Sequence, residues 1–337
     1  MNSMDKKVFG ILPSGQEIYE YTLTSGKSVC RIMNLGAAIL SFQPFGEVNV
    51  VGGFDTLEDY LKDDSNQGLI IGRVANRVKN AVFEMEGWEY HLIANDNGNC
   101  LHSGIGFGHR VWDVKEYTEN AITLTYHSPS QEDGFPATLD VEVTYTLENN
   151  ALHIGYKAIP DGKTPIALTN HAYFNLDGFG GTVDHHRMQI FANRYTAVDN
   201  LLIPNGFRPL VEGTGFDFRT PRTLADAKTG VFGEVDHNLI LAPETFKEFM
   251  GKSLGLAAVV SNETMEMKMY TDQPGVQFYT GNFLGNGPAF AGNKPQVKHG
   301  GFCLEAQTEP NCITRGEAIY KKGQIYTQLT VYEFAQK

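Results

Sequence analysis

"TLDVEVTYTLENNALHIGYKAI", residues 138–159, decides the fold. Leu139, Val141, Val143, Tyr145 and Leu147 alternate with Asp140, Glu142, Thr144 and Thr146. Successive strand side chains point to opposite faces, so this period of two gathers the apolar set on one side. Glu148-Asn149-Asn150 turns the chain, and Leu152, Ile154, Tyr156 and Ala158 resume the apolar face. The reading is a long antiparallel hairpin with one face in a core.

Working outward, the same signal recurs. "AVFEMEGWEYHLI" (81–93) reads as two short strands around Glu86-Gly87, and "AITLTYHS" (121–128), "MEMKMY" (265–270), "VQFYTGNF" (276–283) and "QIYTQLTVYEF" (324–334) read as further strands. Helical candidates are few and short: "TLEDYLKD" (56–63), "TPRTLADA" (220–227) and "PETFKEFMG" (243–251). Most of the 36 glycines stand between strand runs, where tight turns are wanted. No repeat at a fixed period and no low-complexity linker divides the chain, which excludes a propeller. The expectation is one all-β domain over residues 1–337, a large antiparallel β-sandwich of two packed sheets with few short helices.

At 337 residues, 42% hydrophobic and 20% charged, the composition is that of a soluble globular protein. A net charge of −12 disfavours nucleic acid and anionic membranes as partners and suits a neutral small molecule. Four cysteines (Cys30, Cys100, Cys303, Cys312) without a CxxC do not make a disulfide framework. The first residues carry no long apolar stretch, and no run of apolar residues is long enough to span a bilayer. The expected location is cytoplasmic, with reduced thiols.

Five patches set polar groups beside glycines and aromatics: "IGRVANRVKNA" (71–81), "NCLHSGIGFGHRVW" (99–112), "TNHAYFNLDG" (169–178), "EVDHNLIL" (234–241) and "HGGFCLEAQTEPN" (299–311). His185-His186 is the tempting metal pair, but adjacent strand residues face opposite sides and no HExxH occurs, so no metal is expected. No GxSxG is present, "GIGFGHR" does not match a dinucleotide loop, and Cys303 in "GFCLEA" reads as a small buried hydrophobe. Acid–base chemistry remains. Glu305, between Leu304 and Ala306, is either a solvent-facing strand carboxylate or a buried one needing partners or a shifted pKa. His171 and His102 each read as a hydrogen-bonded core histidine or as a functional one. Asp236 reads equally as a turn cap and Arg77 as a surface cation.

Taken together, "GRVANR" (72–77), "LHSG" (101–104) followed by "VW", "TNHAYFNL" (169–176), "VDHN" (235–238), "QPGVQFYTGNF" (273–283) and "HGGFCLEAQ" (299–307) resemble the motifs of the aldose 1-epimerase (galactose mutarotase) family, in that family's order. The resemblance implies a large β-sandwich, the supersandwich, with the sugar in an open cleft on one sheet. It implies no cofactor, no metal, and interconversion of the α and β anomers of free aldoses such as galactose and glucose. It assigns Glu305 as general base and His171 as general acid. Arg77, His102, Asp236 and Gln277 match the sugar-contacting positions, with Asn76 beside Arg77 as a further candidate. The partner is then a small-molecule aldose, not nucleic acid or membrane, and the assembly a monomer or homodimer. Trp112 or Phe283 would pack on an apolar sugar face or else in the core.

The residue types suit that chemistry. Opening a pyranose removes the proton from the C1 hydroxyl and delivers one to the ring oxygen. A carboxylate and an imidazole, with reference pKa values of about 4.3 and 6.5, fit base and acid at neutral pH. The expected working state is ionised Glu305 with protonated His171. The rate then falls in acid as the carboxylate gains a proton and in alkali as the imidazole loses one. Two other classes share parts of this set: a glycoside hydrolase using Glu305 and Asp236, and a non-catalytic carbohydrate-binding protein. A sugar-phosphate enzyme would add cations, for which Lys79, Lys294 and Lys298 are available.

Overall fold

The computed structural model describes residues 6–227 and 234–337. The strands Leu139–Glu148 and Ala151–Pro160 pair antiparallel in unbroken register, from Leu139 opposite Pro160 to Glu148 opposite Ala151. Leu139, Val141, Val143, Tyr145 and Leu147 are buried, while the residues between them are partly or fully exposed.

This hairpin lies within a ten-stranded antiparallel sheet. Across it run Asp113–Tyr117, Ala121–Ser128, the hairpin, Tyr326–Gln336, Met265–Thr271, Lys252–Ser261, Arg187–Ile190 and Arg222–Thr223, with Phe246–Phe249 paired to Lys252–Ser261. A second sheet has five strands in the order Tyr173–Phe174, Phe302–Gln307, Gly275–Tyr279, Asp236–Leu241 and Ala192–Tyr195. Val143, Tyr145, Tyr332 and Phe334 of the large sheet share one buried cluster with Leu239, Val276, Phe278, Phe302 and Leu304 of the smaller one. Two sheets meeting through a common apolar layer make a sandwich, as the alternation predicts.

Phe302–Gln307, the strand that carries Glu305, is buried at all six positions. Phe302, Leu304 and Ala306 face the large sheet; Cys303 and Glu305 point to the other side. The large sheet also grips this strand by its backbone. Tyr332 Oη donates to the Leu304 carbonyl at 2.9 Å, and Gln328 Nε2 to the Ala306 carbonyl at 3.1 Å. Thr169 Oγ1 adds a bond to the same Ala306 carbonyl at 2.9 Å. A strand held on its core face and along its edge presents Glu305 at a fixed depth.

The helix "TLEDYLKD" forms as Leu57–Lys62, its N-terminus capped by Thr56, whose side chain accepts from Asp59 N. "TPRTLADA" yields only the short helix Leu224–Ala227, after the strand Arg222–Thr223. "PETFKEFMG" is not a helix: Phe246–Phe249 is a strand antiparallel to Lys252–Ser261, with Phe249 opposite Lys252. Met250 and Gly251 both take positive φ, the two-residue turn that suits a hairpin. Phe249 packs on His153 and Tyr270, so tertiary burial overrides local helix propensity. His185-His186 also departs from expectation. The pair precedes the strand Arg187–Ile190, and its rings lie 4.8 Å apart instead of on opposite faces. The hairpin around Glu86-Gly87 forms as Val82–Met85 and Trp88–His91, whereas "VQFYTGNF" leaves the sheet after Tyr279. All four cysteines are buried and unpaired. No helix among the described residues is long and apolar enough to cross a membrane.

Candidate active site

Antiparallel register builds the floor of a cleft. Gln277 stands opposite Glu305, Tyr279 opposite Cys303, and Asp236 opposite Tyr279. Three strands thus place Asp236, Tyr279 and Glu305 on one face. Residues 169–174 cross beside them: Thr169–Asn170 pairs with Ile70–Ile71, Tyr173–Phe174 pairs with Phe302–Cys303, and His171 falls between. The His171 backbone is anchored at both ends, its N–H donating to the Leu69 carbonyl at 2.9 Å and its carbonyl accepting from Gly68 N at 3.0 Å. Its Nε2 then lies 3.8 Å from Glu305 Oε1.

A second wall comes from the motif "ANR". Asn76 and His102 both adopt left-handed backbone, at φ 63° and 53°, a strained conformation for residues other than glycine. They lock each other: His102 N donates to the Asn76 carbonyl and Asn76 N to His102 Nδ1, each at 3.2 Å. Since Nδ1 accepts an N–H, neutral His102 carries its proton on Nε2 and serves as a donor. Its ring meets that of His171 edge-on at 5.3 Å. Burial first, then His171 and Arg77, hold His102 well below its ordinary pKa.

Arg77 is bracketed by two carboxylates, Asp96 Oδ2 at 2.7 Å from Nε and Asp236 Oδ2 at 3.9 Å from Nη1. Burial raises the Asp236 pKa while Arg77 and Gln277 oppose the rise. The cleft, about 500 Å³, is lined by Asn76, Arg77, Asp96, His102, His171 and Asp236, with Tyr173, Tyr279, Phe283 and Glu305 among the rest. That volume is in the usual range for a small-molecule site.

Six of the seven residues singled out in the sequence therefore line one cleft. Gln277 does not; it sits behind Asp236, donating to Oδ1 at 2.6 Å. Asn76 lines the wall, but its side-chain oxygen is engaged by the Arg77 N–H at 2.8 Å. Trp112 is buried in the core, its indole N–H bonded to the Phe107 carbonyl, whereas Phe283 stands 74% exposed at the cleft rim. Sequence reasoning missed Asp96, Tyr173 and Tyr279. Asp96 lies in the turn "NDNGN", whose only sequence signal is a turn. The tyrosines belong to quoted motifs and were masked by their apolar neighbours.

Two trios of ligating groups gather among the described residues: His102, His171 and Glu305, and Asp177, His185 and His186. Neither is a free donor set. His102 Nδ1 accepts the Asn76 N–H, and His186 Nε2 accepts the Leu176 N–H at 3.0 Å. Asp177 is engaged by His185 and Asn262, each at 2.5 Å.

The chain is similar to known proteins in both sequence and fold. The family model "Aldose 1-epimerase" matches residues 19–333. Rat galactose mutarotase is 37% identical, with 99% of both chains covered, and the aldose 1-epimerase of Escherichia coli K12 is 32% identical over 96% of this chain and 97% of its own. The crystal structure of galactose 1-epimerase from Lactobacillus acidophilus superposes with a TM-score of 0.87 at 25% identity, covering 99% of each chain. Motifs, sandwich, cleft and relatives converge: the chain belongs to the aldose 1-epimerase family.

Proposed function

We propose that this aldose 1-epimerase opens the sugar ring with Glu305 as base and His171 as acid, while Arg77, His102 and Asp236 hold the sugar hydroxyls. The enzyme is an isomerase interconverting the anomers of aldoses such as galactose and glucose. The observation that carries the residue assignment is His171 Nε2 facing Glu305 Oε1 across 3.8 Å of a sugar-sized cleft. The C1 hydroxyl and the ring oxygen are both bonded to C1, so base and acid must act close together. His171 and Glu305, side by side at the cleft floor, fit that requirement.

The electrostatics refine the working state. Burial, helped by Asp236 and opposed by Arg77, pushes Glu305 well above the ordinary carboxylate range. Burial pushes His171 down to about 4. Both shifts favour the neutral pair, with a single proton resting on Glu305. On Glu305 that proton leaves two neutral groups; on Nε2 it makes the carboxylate and imidazolium that open the ring. Glu305 then takes the proton of the C1 hydroxyl as Nε2–H protonates the ring oxygen. C1 turns about the C1–C2 bond, and the steps reverse. The pH limbs belong to the pair: acid adds a second proton near pH 4, and alkali removes the remaining one at the raised carboxyl pKa. This replaces the simpler expectation of carboxylate on the acid side and imidazole on the alkaline side.

The hydrolase and binding-module readings are not favoured by the relatives. Sugar phosphates fit the wall poorly: Asp64, Asp96, Asp236 and Glu305 line the cleft against the single lining cation, Arg77. Lys298 is paired with Glu234 instead. Polarimetry of freshly dissolved α-D-galactose and α-D-glucose tests the reading. Accelerated approach to equilibrium, with no reducing sugar released from an aryl galactoside, is the expected result. Release without mutarotation would reverse it.

A further inference from the structure

His171 is read by one strand at both of its ring nitrogens. Cys303 and Glu305 are alternate residues of Phe302–Gln307, so their side chains share a face about 7 Å apart along it. The imidazole bridges that interval. Its Nε2 is 3.8 Å from Glu305 Oε1, and its Nδ1 is 3.7 Å from Cys303 Sγ, within hydrogen-bonding range for sulfur. Cys303 is fully buried between two tyrosines, opposite Tyr173 on one neighbouring strand and Tyr279 on the other.

We propose that Cys303 is a positioning residue of the reaction: its sulfur accepts the Nδ1–H of His171, confining the exchangeable proton to Nε2, where Glu305 and the sugar lie. The inference rests on His171 acting as the acid. Imidazolium gives up either of two protons, and only the one on Nε2 points into the cleft. If Nδ1 lost its proton instead, the resulting tautomer would leave Nε2–H unable to take a proton back from the ring oxygen on closure. A partner at Nδ1 that keeps its proton through the cycle removes that dead end.

The choice of sulfur has its own consequence. A carboxylate at Nδ1 would stabilise imidazolium and weaken the acid, as in hydrolase triads where an aspartate holds the histidine. A thiol is a weak, neutral acceptor, and so orients the ring without neutralising its charge. Burial, reinforced by Glu305 and Asp236, holds the thiol well above its ordinary pKa, so it stays neutral; hydrogen bonding from Tyr173 only partly offsets this. Cys303 is thus suited to fix a tautomer while leaving a ready proton donor.

The direct test is the tautomer of His171, read from ¹⁵N shifts and long-range ¹H–¹⁵N couplings in histidine-labelled enzyme at pH 7, with His171→Asn identifying the resonance. Wild type is expected to show the Nδ1–H form. Cys303→Ala should give a mixture and lose about three- to tenfold in kcat, the weight of one modest hydrogen bond, with KM little changed. Cys303→Ser, which keeps an acceptor, should restore both. Nε2–H as the main wild-type form overturns the proposal without any variant having to fold. So does a Cys303→Ala enzyme with wild-type kcat, or one slowed while its tautomer stays pure Nδ1–H. Full activity of His171→Asn would instead remove the acid assignment on which the inference stands.

Discussion

The hairpin Leu139–Glu148/Ala151–Pro160 and the strand Phe302–Gln307 are both β structure, yet they carry opposite information. In Leu139–Glu148 burial alternates residue by residue because one face meets solvent. In Phe302–Gln307 nothing alternates, since the large sheet covers one face and the cleft walls the other. Period two is visible only where water touches one side. The first strand specifies architecture. The second hides a carboxylate with an unpartnered Oε2 inside the protein, an arrangement that costs stability and shifts a pKa. A buried polar group that weakens the fold and faces a cleft is a candidate for chemistry, which is why the proposal rests on this strand.

Substitutions that strike the two faces of Phe302–Gln307 separately sharpen this contrast. His171→Asn, acting on the cleft face, should lower kcat by roughly 10²–10⁴-fold, as for a lost general acid, with the far-ultraviolet circular dichroism unchanged. Combined with Glu305→Gln, it should lose less than the product of the two single losses, because both groups serve one step. Wild-type rate in His171→Asn would dissolve the distinction between the faces.

Arg77→Ala and Asp236→Ala come next. Each removes a charged hydrogen-bonding group, so kcat/KM for galactose should fall by about 10- to 100-fold. Gln277→Ala should lose less, since Gln277 acts behind Asp236. Equal losses for all three would place Gln277 at the sugar.

Leu304→Ala strikes the core face of the same strand. It should cost about 2–5 kcal/mol of stability by cavity formation, seen as a lower Tm and denaturant midpoint. The molecules that stay folded should keep kcat within a few-fold. A collapse of kcat with little change in Tm would show that the two faces are not separable. The smallest effect is none: dialysis against EDTA should leave mutarotation unchanged, because His102, its Nδ1 engaged by the Asn76 N–H, carries its proton on Nε2 and turns no lone pair to the cleft. Lost activity restored by a divalent cation contradicts that.

The sandwich was legible in residues 138–159 and in the strand runs around it, because hydrophobic period reports exposure directly. The catalytic candidates were legible through motif context and not through spacing. Glu305 and His171 lie 134 positions apart in sequence yet 3.8 Å apart in space. That approach depends on the strand register of Tyr173 with Cys303, which no local pattern encodes. The segment 243–251 failed for a related reason. Its composition favours a helix, and the Met250-Gly251 turn together with Phe249 packing on His153 and Tyr270 selects the strand. Asp96 was missed because a turn sequence does not reveal which arginine its carboxylate meets.

The central claim is that Glu305 moves the anomeric proton. It is tested most directly by polarimetry of freshly dissolved α-D-galactose with Glu305→Gln at pH 7, alongside a thermal melt. Glutamine keeps the shape and removes the group that burial makes costly to ionise. The account predicts a loss of roughly 10²–10⁴-fold in kcat with a Tm at or above wild type. A folded Glu305→Gln enzyme that equilibrates the anomers as fast as wild type contradicts it.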